Sequence, residues 1–183
     1  MKEKDILPFL NGLGWKCSKD EAGDYFCLMD IGCIEVQIIP SIGKRSDYFR
    51  VSFMPSVSVK AFTEAVSFIL GEAKNYVPVI VSNDIPEKIS GFSFDDVKRL
   101  SEQAISWASA QNLEEGLAAY RALPTDSKGA MPLRHLAALA IACDVDRLAS
   151  YKRSFDQGDR LGFVPYITKD MIERALLIAS DAR

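Results

Sequence analysis

Apolar and polar positions alternate with a period of two over two stretches of the N-terminal half. Ile34, Val36 and Ile38 fall on one side of a run and Glu35 and Gln37 on the other. Phe49, Val51 and Phe53 alternate in the same way with Arg50 and Ser52. That period predicts strands with one buried and one wet face. Tyr25 to Met29, apolar on both sides, reads as a more central strand. A hairpin closing about Gly43 would set Gln37 opposite Arg50, Glu35 opposite Ser52 and Val36 opposite Val51. The two apolar rows then agree in register, with Phe62, Val66, Ile69 and Leu70 of a following helix packed on them.

Other signals complete the order of elements. Lys4 to Leu13 reads as a short amphipathic helix, and Ser58 as the N-cap of the Phe62–Leu70 helix. Val77 to Val81 reads as a short strand, which Pro78 confines to an edge or makes a strand start. Asn83 to Gly91 is the expected boundary, giving an α/β sheet domain over 1–90 and a helical region over 91–183. From Ser93 onward the period becomes helical. Ser93 with Asp96, and Asn112 with Glu115, have capping-box spacing. Pro132 suits the first turn of a third helix, Asp144 opens a fourth and Thr168 a last. The fold class expected is α+β, with an all-helical C-terminal half.

Leu117-Ala-Ala-Tyr-Arg121 recurs as Leu148-Ala-Ser-Tyr-Lys152, 31 residues on. Ala104, Trp107, Gly116 and Tyr120 fall where a tetratricopeptide unit carries small and aromatic residues, so this segment is similar to one such unit. Leu-x-x-Tyr spacing is also ordinary helix packing, and that is the reading adopted.

Charge and candidate chemistry narrow the function. The net charge is −3 and the pI about 5.3. Neither nucleic acid nor an anionic membrane suits that balance as main partner. No apolar run approaches the ~20 residues of a membrane span, and the mixed-charge start makes a poor signal peptide. Cys17, Cys27, Cys33 and Cys143 lack paired spacing. They read as reduced, mostly buried thiols of a cytoplasmic protein, with no disulfide, no metal and no cofactor expected. His135 is the single histidine. It lies ~12 Å along one helix from Cys143, too far for a nucleophile–base dyad. Pro40 to Asp47 holds a glycine, two cations and two hydroxyls. It lacks the phosphate-loop pattern and reads as a solvated hairpin loop. The paired carboxylates Asp95–Asp96 and Glu114–Glu115 sit at helix starts, where they complement the macrodipole.

The order helix, three strands, helix, strand over Lys4 to Val81 is similar to the α/β fold of bacterial secretion chaperones, and resembles small toxin-immunity proteins equally. That resemblance implies a cytoplasmic, non-catalytic protein that binds stoichiometrically, most concretely an immunity protein covering a toxin. Its partner would be a protein such as a basic toxin domain. A secretion chaperone or adaptor, or an enzyme without a local motif, are the alternatives. The partner-binding residues expected are Glu35, Gln37 and Arg50 on the wet sheet face and Asp95, Asp96, Glu114 and Glu115 at the helix starts.

Overall fold

The computed structural model describes residues 1–73 and 75–181. The N-terminal part runs α1 (Glu3–Gly12), β1 (Lys16–Lys19), β2 (Tyr25–Ile31), β3 (Ile34–Ile38), β4 (Ser41–Lys44), β5 (Phe49–Ser52), β6 (Ser56–Val59) and α2 (Lys60–Leu70). After β7 (Ile80–Val81) and β8 (Glu87–Ile89) come α3 (Phe94–Ser109), α4 (Leu113–Arg121), α5 (Met131–Ile141), α6 (Val145–Asp156) and α7 (Lys169–Asp181). The fold is α+β. Two compact units interleave along the chain, in place of the single boundary expected between 90 and 91. Unit 1 is Met1–Ser58 with Pro78–Gln111, and unit 2 is Val59–Val77 with Asn112–Arg183.

Unit 1 holds two antiparallel sheets. Sheet A has the order β1-β2-β3-β6-β7 and sheet B the order β4-β5-β8. The apolar rows expected for β3 and β5 are buried at Val36, Ile38, Val51 and Phe53, but the alternation of β5 breaks at Ser52, which is buried too. Their pairing differs from the expected hairpin. β3 pairs with β2, setting Val36 against Met29 and Ile38 against Cys27. β5 pairs with β4, setting Arg50 against Gly43 and Val51 against Ile42. Alternation assigns a face but not a neighbour, and β2 offers β3 the more apolar partner. The stretch expected as a solvated loop therefore contains β4, and the expected boundary stretch contains β8.

Within unit 1 the sheet is covered by α1 and α3, with α1 on β1 and β2 and α3 on β3. Ile6 and Leu10 of α1 are fully buried, each contributing ~1.5–3 kcal/mol of apolar transfer. Buried Trp15 donates its indole Nε1–H to Ser101 Oγ of α3 at 2.8 Å, which satisfies both groups. Phe94, placed by its spacing on the buried stripe of α3, is instead partly exposed, with its ring 4.9 Å from that of Phe9.

Unit 2 is helical, with α2 packed on α5 and α7 and not assigned to the sheet unit. Ser58, expected to cap α2, is buried in β6, and Val59 takes the cap position. α2 ends at Gly71, whose φ of +80° suits a residue without Cβ. A Cβ there would lie 2.6 Å from Arg174 Nη1, which donates to the Ile69 carbonyl at 2.8 Å and so caps the same helix end. The expected caps at Ser93, Asn112, Asp144 and Thr168 are all in place. In the repeat, Asn112 and Asp144 are 32 residues apart but the Leu-x-x-Tyr pairs 31, so the pairs stand one residue out of step relative to their caps, a rotation of about 100°.

The cysteine expectation is corrected. Cys17 and Cys27 stand directly opposite one another in the β1–β2 ladder and form a disulfide. Pairing by strand register leaves no short Cys-x-x-Cys signature to read. Cys33 is exposed and Cys143 half-buried, both free. Thiol titration of the denatured protein purified without reductant should count two free thiols per chain and four after reduction. Four before reduction would contradict the bridge.

Candidate functional site

Unit 1 carries a groove of about 370 Å³ between one face of α3 and the chain leaving β5. That volume lies within the range of ligand and side-chain pockets. Its floor is Val51 and Phe53 with Leu100 and Ala104, all buried. Past β5 the chain turns at Met54, whose φ of +41° costs ~1–2 kcal/mol for a residue with a Cβ. The Ser52 hydroxyl accepts from the Met54 amide at 3.3 Å and holds the turn. The turn pushes Met54 outward, 40% exposed. Ile85, on the segment between β7 and β8, is 86% exposed, and half-buried Trp107 of α3 closes the far end.

The rim is acidic. Glu87 receives a two-pronged contact from Arg99, at 3.2 Å to Oε1 and 2.8 Å to Oε2. That hydrogen bond, with the nearby Asp96 charge, raises the Arg99 pKa above its ordinary value. Arg99 also donates to Gln103 Oε1 at 3.1 Å, fixing that amide. Asp84 is exposed, and its carboxylate has no ion-pair partner among the described residues. The hydroxyl in the lining, Ser52, is engaged by Met54, and no base stands within bonding distance of it among the described residues. Such a groove can hold an apolar side chain beside a cation. Sequence reasoning missed it because its walls come from three separate stretches. The legible signal was Ile85, an isoleucine inside the polar run Ser82 to Glu87.

The residues expected to bind a partner do not gather in one place. Glu35 and Gln37 lie half-buried on β3, opposite Asp30 and Leu28 of sheet A. Arg50 lies exposed on β5 in sheet B, so the expected patch across a β3–β5 hairpin does not form. Ser52, expected on the wet face, is buried. Asp95 is exposed at the start of α3. Asp96 closes the capping box, and the Ser93 amide, with help from Ser93 Oγ and Arg99, holds its carboxyl below the ordinary range. Glu114 pairs with Arg121, and the Glu115 amide donates to Asn112 Oδ1 at 3.2 Å. Asp96, Glu114 and Glu115 thus have local work to do at their helix ends.

His135 is fully buried in α5 of unit 2. Its Nδ1 is 2.9 Å from the Tyr120 carbonyl oxygen and its Nε2 3.0 Å from Tyr151 Oη. A carbonyl only accepts, so the proton sits on Nδ1 and Nε2 accepts from the tyrosine. Arg147 Nε in turn donates to Tyr151 Oη at 2.9 Å. The chain of bonds runs one way from Arg147 through Tyr151 and His135 to Tyr120 and uses both ring nitrogens. The repeated tyrosines of α4 and α6 are the two residues that flank this ring. Burial pushes His135 below its ordinary pKa and Arg147 acts the same way, against the Tyr120 carbonyl and Asp144.

Residues 2–180 match the model of a family of unknown function, DUF6990, and the chain belongs to that family. No curated protein and no solved structure matches it.

The neutral imidazole has a consequence for stability. Its folded pKa lies below the unfolded value of 6.5. As pH falls through that value, the unfolded chain takes up a proton that the folded one refuses, and unit 2 loses stability. Chemical denaturation between about pH 7.5 and about pH 5.5 should show a falling midpoint. His135→Phe should be less stable at pH 7.5 by about 1–3 kcal/mol but should lose this part of the acid dependence.

Proposed function

We propose that this DUF6990 member is a non-catalytic protein-binding module, and most concretely an immunity protein that neutralises a toxin by stoichiometric binding. The observation that carries this reading is the groove beside α3. Met54, Ile85 and Trp107 offer apolar contact there, next to the carboxylates Asp84 and Glu87. Tryptophan ringed by polar groups is the material of protein-binding hot spots, and Met54 and Ile85 widen the apolar contact beside it. An unneutralised Asp84 favours a partner segment that places a Lys or Arg beside an apolar residue, as the surface of a basic toxin domain does. His135, which could act as a base, is held by two hydrogen bonds, and this too supports binding over turnover.

No helix among the described residues is long and apolar enough to cross a membrane. The cytoplasm is the proposed place of action. The Cys17–Cys27 bridge of the structure is unusual for that compartment, because cytosolic disulfides are rare. Alkylation in native extract that finds this pair oxidised would move the protein to an oxidising compartment.

A secretion chaperone is the second reading. It is favoured by the apolar face of α2 and α7 in unit 2, where Phe68 is 51% and Leu177 55% exposed.

The test is capture by the tagged full-length chain from its native cell. One basic protein should be recovered at one copy per chain. Trp107→Ala should weaken that association by about 2 kcal/mol. Asp84→Lys, which changes an exposed loop residue, should slow capture in low salt and less so in high salt. Circular dichroism should match the parent for both. Turnover of a substrate by the purified chain, abolished by one substitution, would overturn the binding reading.

A further inference from the structure

The β4–β5–β8 register sets Gly43, Arg50 and Lys88 side by side across sheet B. By alternation Tyr48 shares their face. Arg45 lies across the hairpin from it, its amide donating to the Tyr48 carbonyl at 2.8 Å. Arg45, Arg50 and Lys88 are all exposed. Like charges directly opposite on neighbouring strands, with Cα atoms about 5 Å apart, destabilise a sheet. A nearby carboxylate would relieve the repulsion. Among the described residues, none pairs with Lys44, Arg45, Arg50 or Lys88. Glu87, next to Lys88 in β8, points to the other face and is taken by Arg99. Asp47, in the turn, makes no ion pair. On the other side of Arg50, Gly43 has no side chain, and a Cβ there would meet the Arg50 carbonyl oxygen and Cβ at 3.7 and 4.0 Å.

We propose that this face of sheet B docks an acidic segment of a protein partner, an extended run with carboxylates at alternate positions. Such carboxylates are spaced ~6.6–7 Å apart, within reach of the long Arg50 and Lys88 side chains. Arg50 suits a carboxylate because its planar fork donates two parallel hydrogen bonds. A nucleic acid strand fits less well. The face is only about 10 by 13 Å, three short strands wide. The Tyr48 ring is half-buried and has the Lys88 ammonium 5.4 Å over it, so it offers no free stacking platform. The net charge of −3 opposes a long polyanion more than it opposes two carboxylates. This inference rests on the protein-binding reading but uses a different surface, since Val51 and Glu87 of the groove lie on the opposite face of the same sheet.

The test is fluorescence anisotropy of the full-length chain with fluorescein-labelled hexaglutamate, at about 50 mM and about 200 mM salt. Saturable binding that weakens at the higher salt is expected. Arg50→Glu combined with Lys88→Glu should weaken it at least about tenfold. Lys88→Gln should weaken binding while leaving the thermal midpoint equal or higher, because it removes the cross-strand repulsion; a merely structural lysine would lower the midpoint. The probe reads this face and capture of a basic protein reads the groove on the other face, so failure of one is distinguishable from failure of the other. No saturable binding by the parent, binding unchanged by the double substitution, or tighter binding of labelled oligothymidylate than of hexaglutamate would each overturn the proposal.

Discussion

The register of β2 against β3 is the constraint on which unit 1 depends. It sets Cys27 against Ile38 on one side of β2 and, through the next ladder, against Cys17 on the other. A slip by one residue would turn Val36 and Ile38 outward and bring Glu35 and Gln37 inward; a slip of β1 against β2 would separate the two sulfurs. With β2 on one edge of β3 and β6 on the other, β3 has no edge left for β5. β4 and β5 then satisfy their backbone groups with each other, and β8 completes the smaller sheet. The cationic row on sheet B and the separation of Arg50 from Glu35 and Gln37 both follow from that allocation.

Much of this was legible in the residues. Alternation identified the buried set Val36, Ile38, Val51 and Phe53, and capping chemistry located the starts of α3, α4, α6 and α7. What stayed hidden was pairing. β3 and β5 carry the same pattern, and β4 is a four-residue strand containing a glycine, too short for a periodic signal. The disulfide was hidden for the same reason, since it depends on which residues face each other across a ladder. The groove was hidden because Met54, Ile85 and Trp107 become neighbours only through tertiary structure. The fate of His135 was half-visible. Its apolar setting was plain from the sequence, but its partners Tyr120 and Tyr151 sit on helices before and after its own.

The polar groups divide by the work they do inside each unit. In unit 2 one buried set is linked throughout: Arg147, Tyr151, His135 and the Tyr120 carbonyl form an unbroken chain of hydrogen bonds, while Arg134 Nε is buried without one. Such a network costs little once complete and a good deal if one member is removed. In unit 1 Arg50 and Lys88 of sheet B and Asp84 lack carboxylate or cation partners among the described residues, although they lie beside well-packed strands. Rigid support beneath unneutralised charge is the arrangement that favours recognition over stability.

The interleaving of the two units bears on how the chain is made. Unit 1 lacks α3 until Gln111 has been synthesised, and α2, with Phe62, Val66 and Ile69 on its buried face, is translated long before α5 and α7 that cover it. At about 5–20 residues per second, that helix waits for several seconds on the ribosome with its apolar stripe bare. The nascent chain is therefore a natural client for a holding chaperone. Premature termination between Gln111 and α7 would release a product whose first unit can close and whose second cannot.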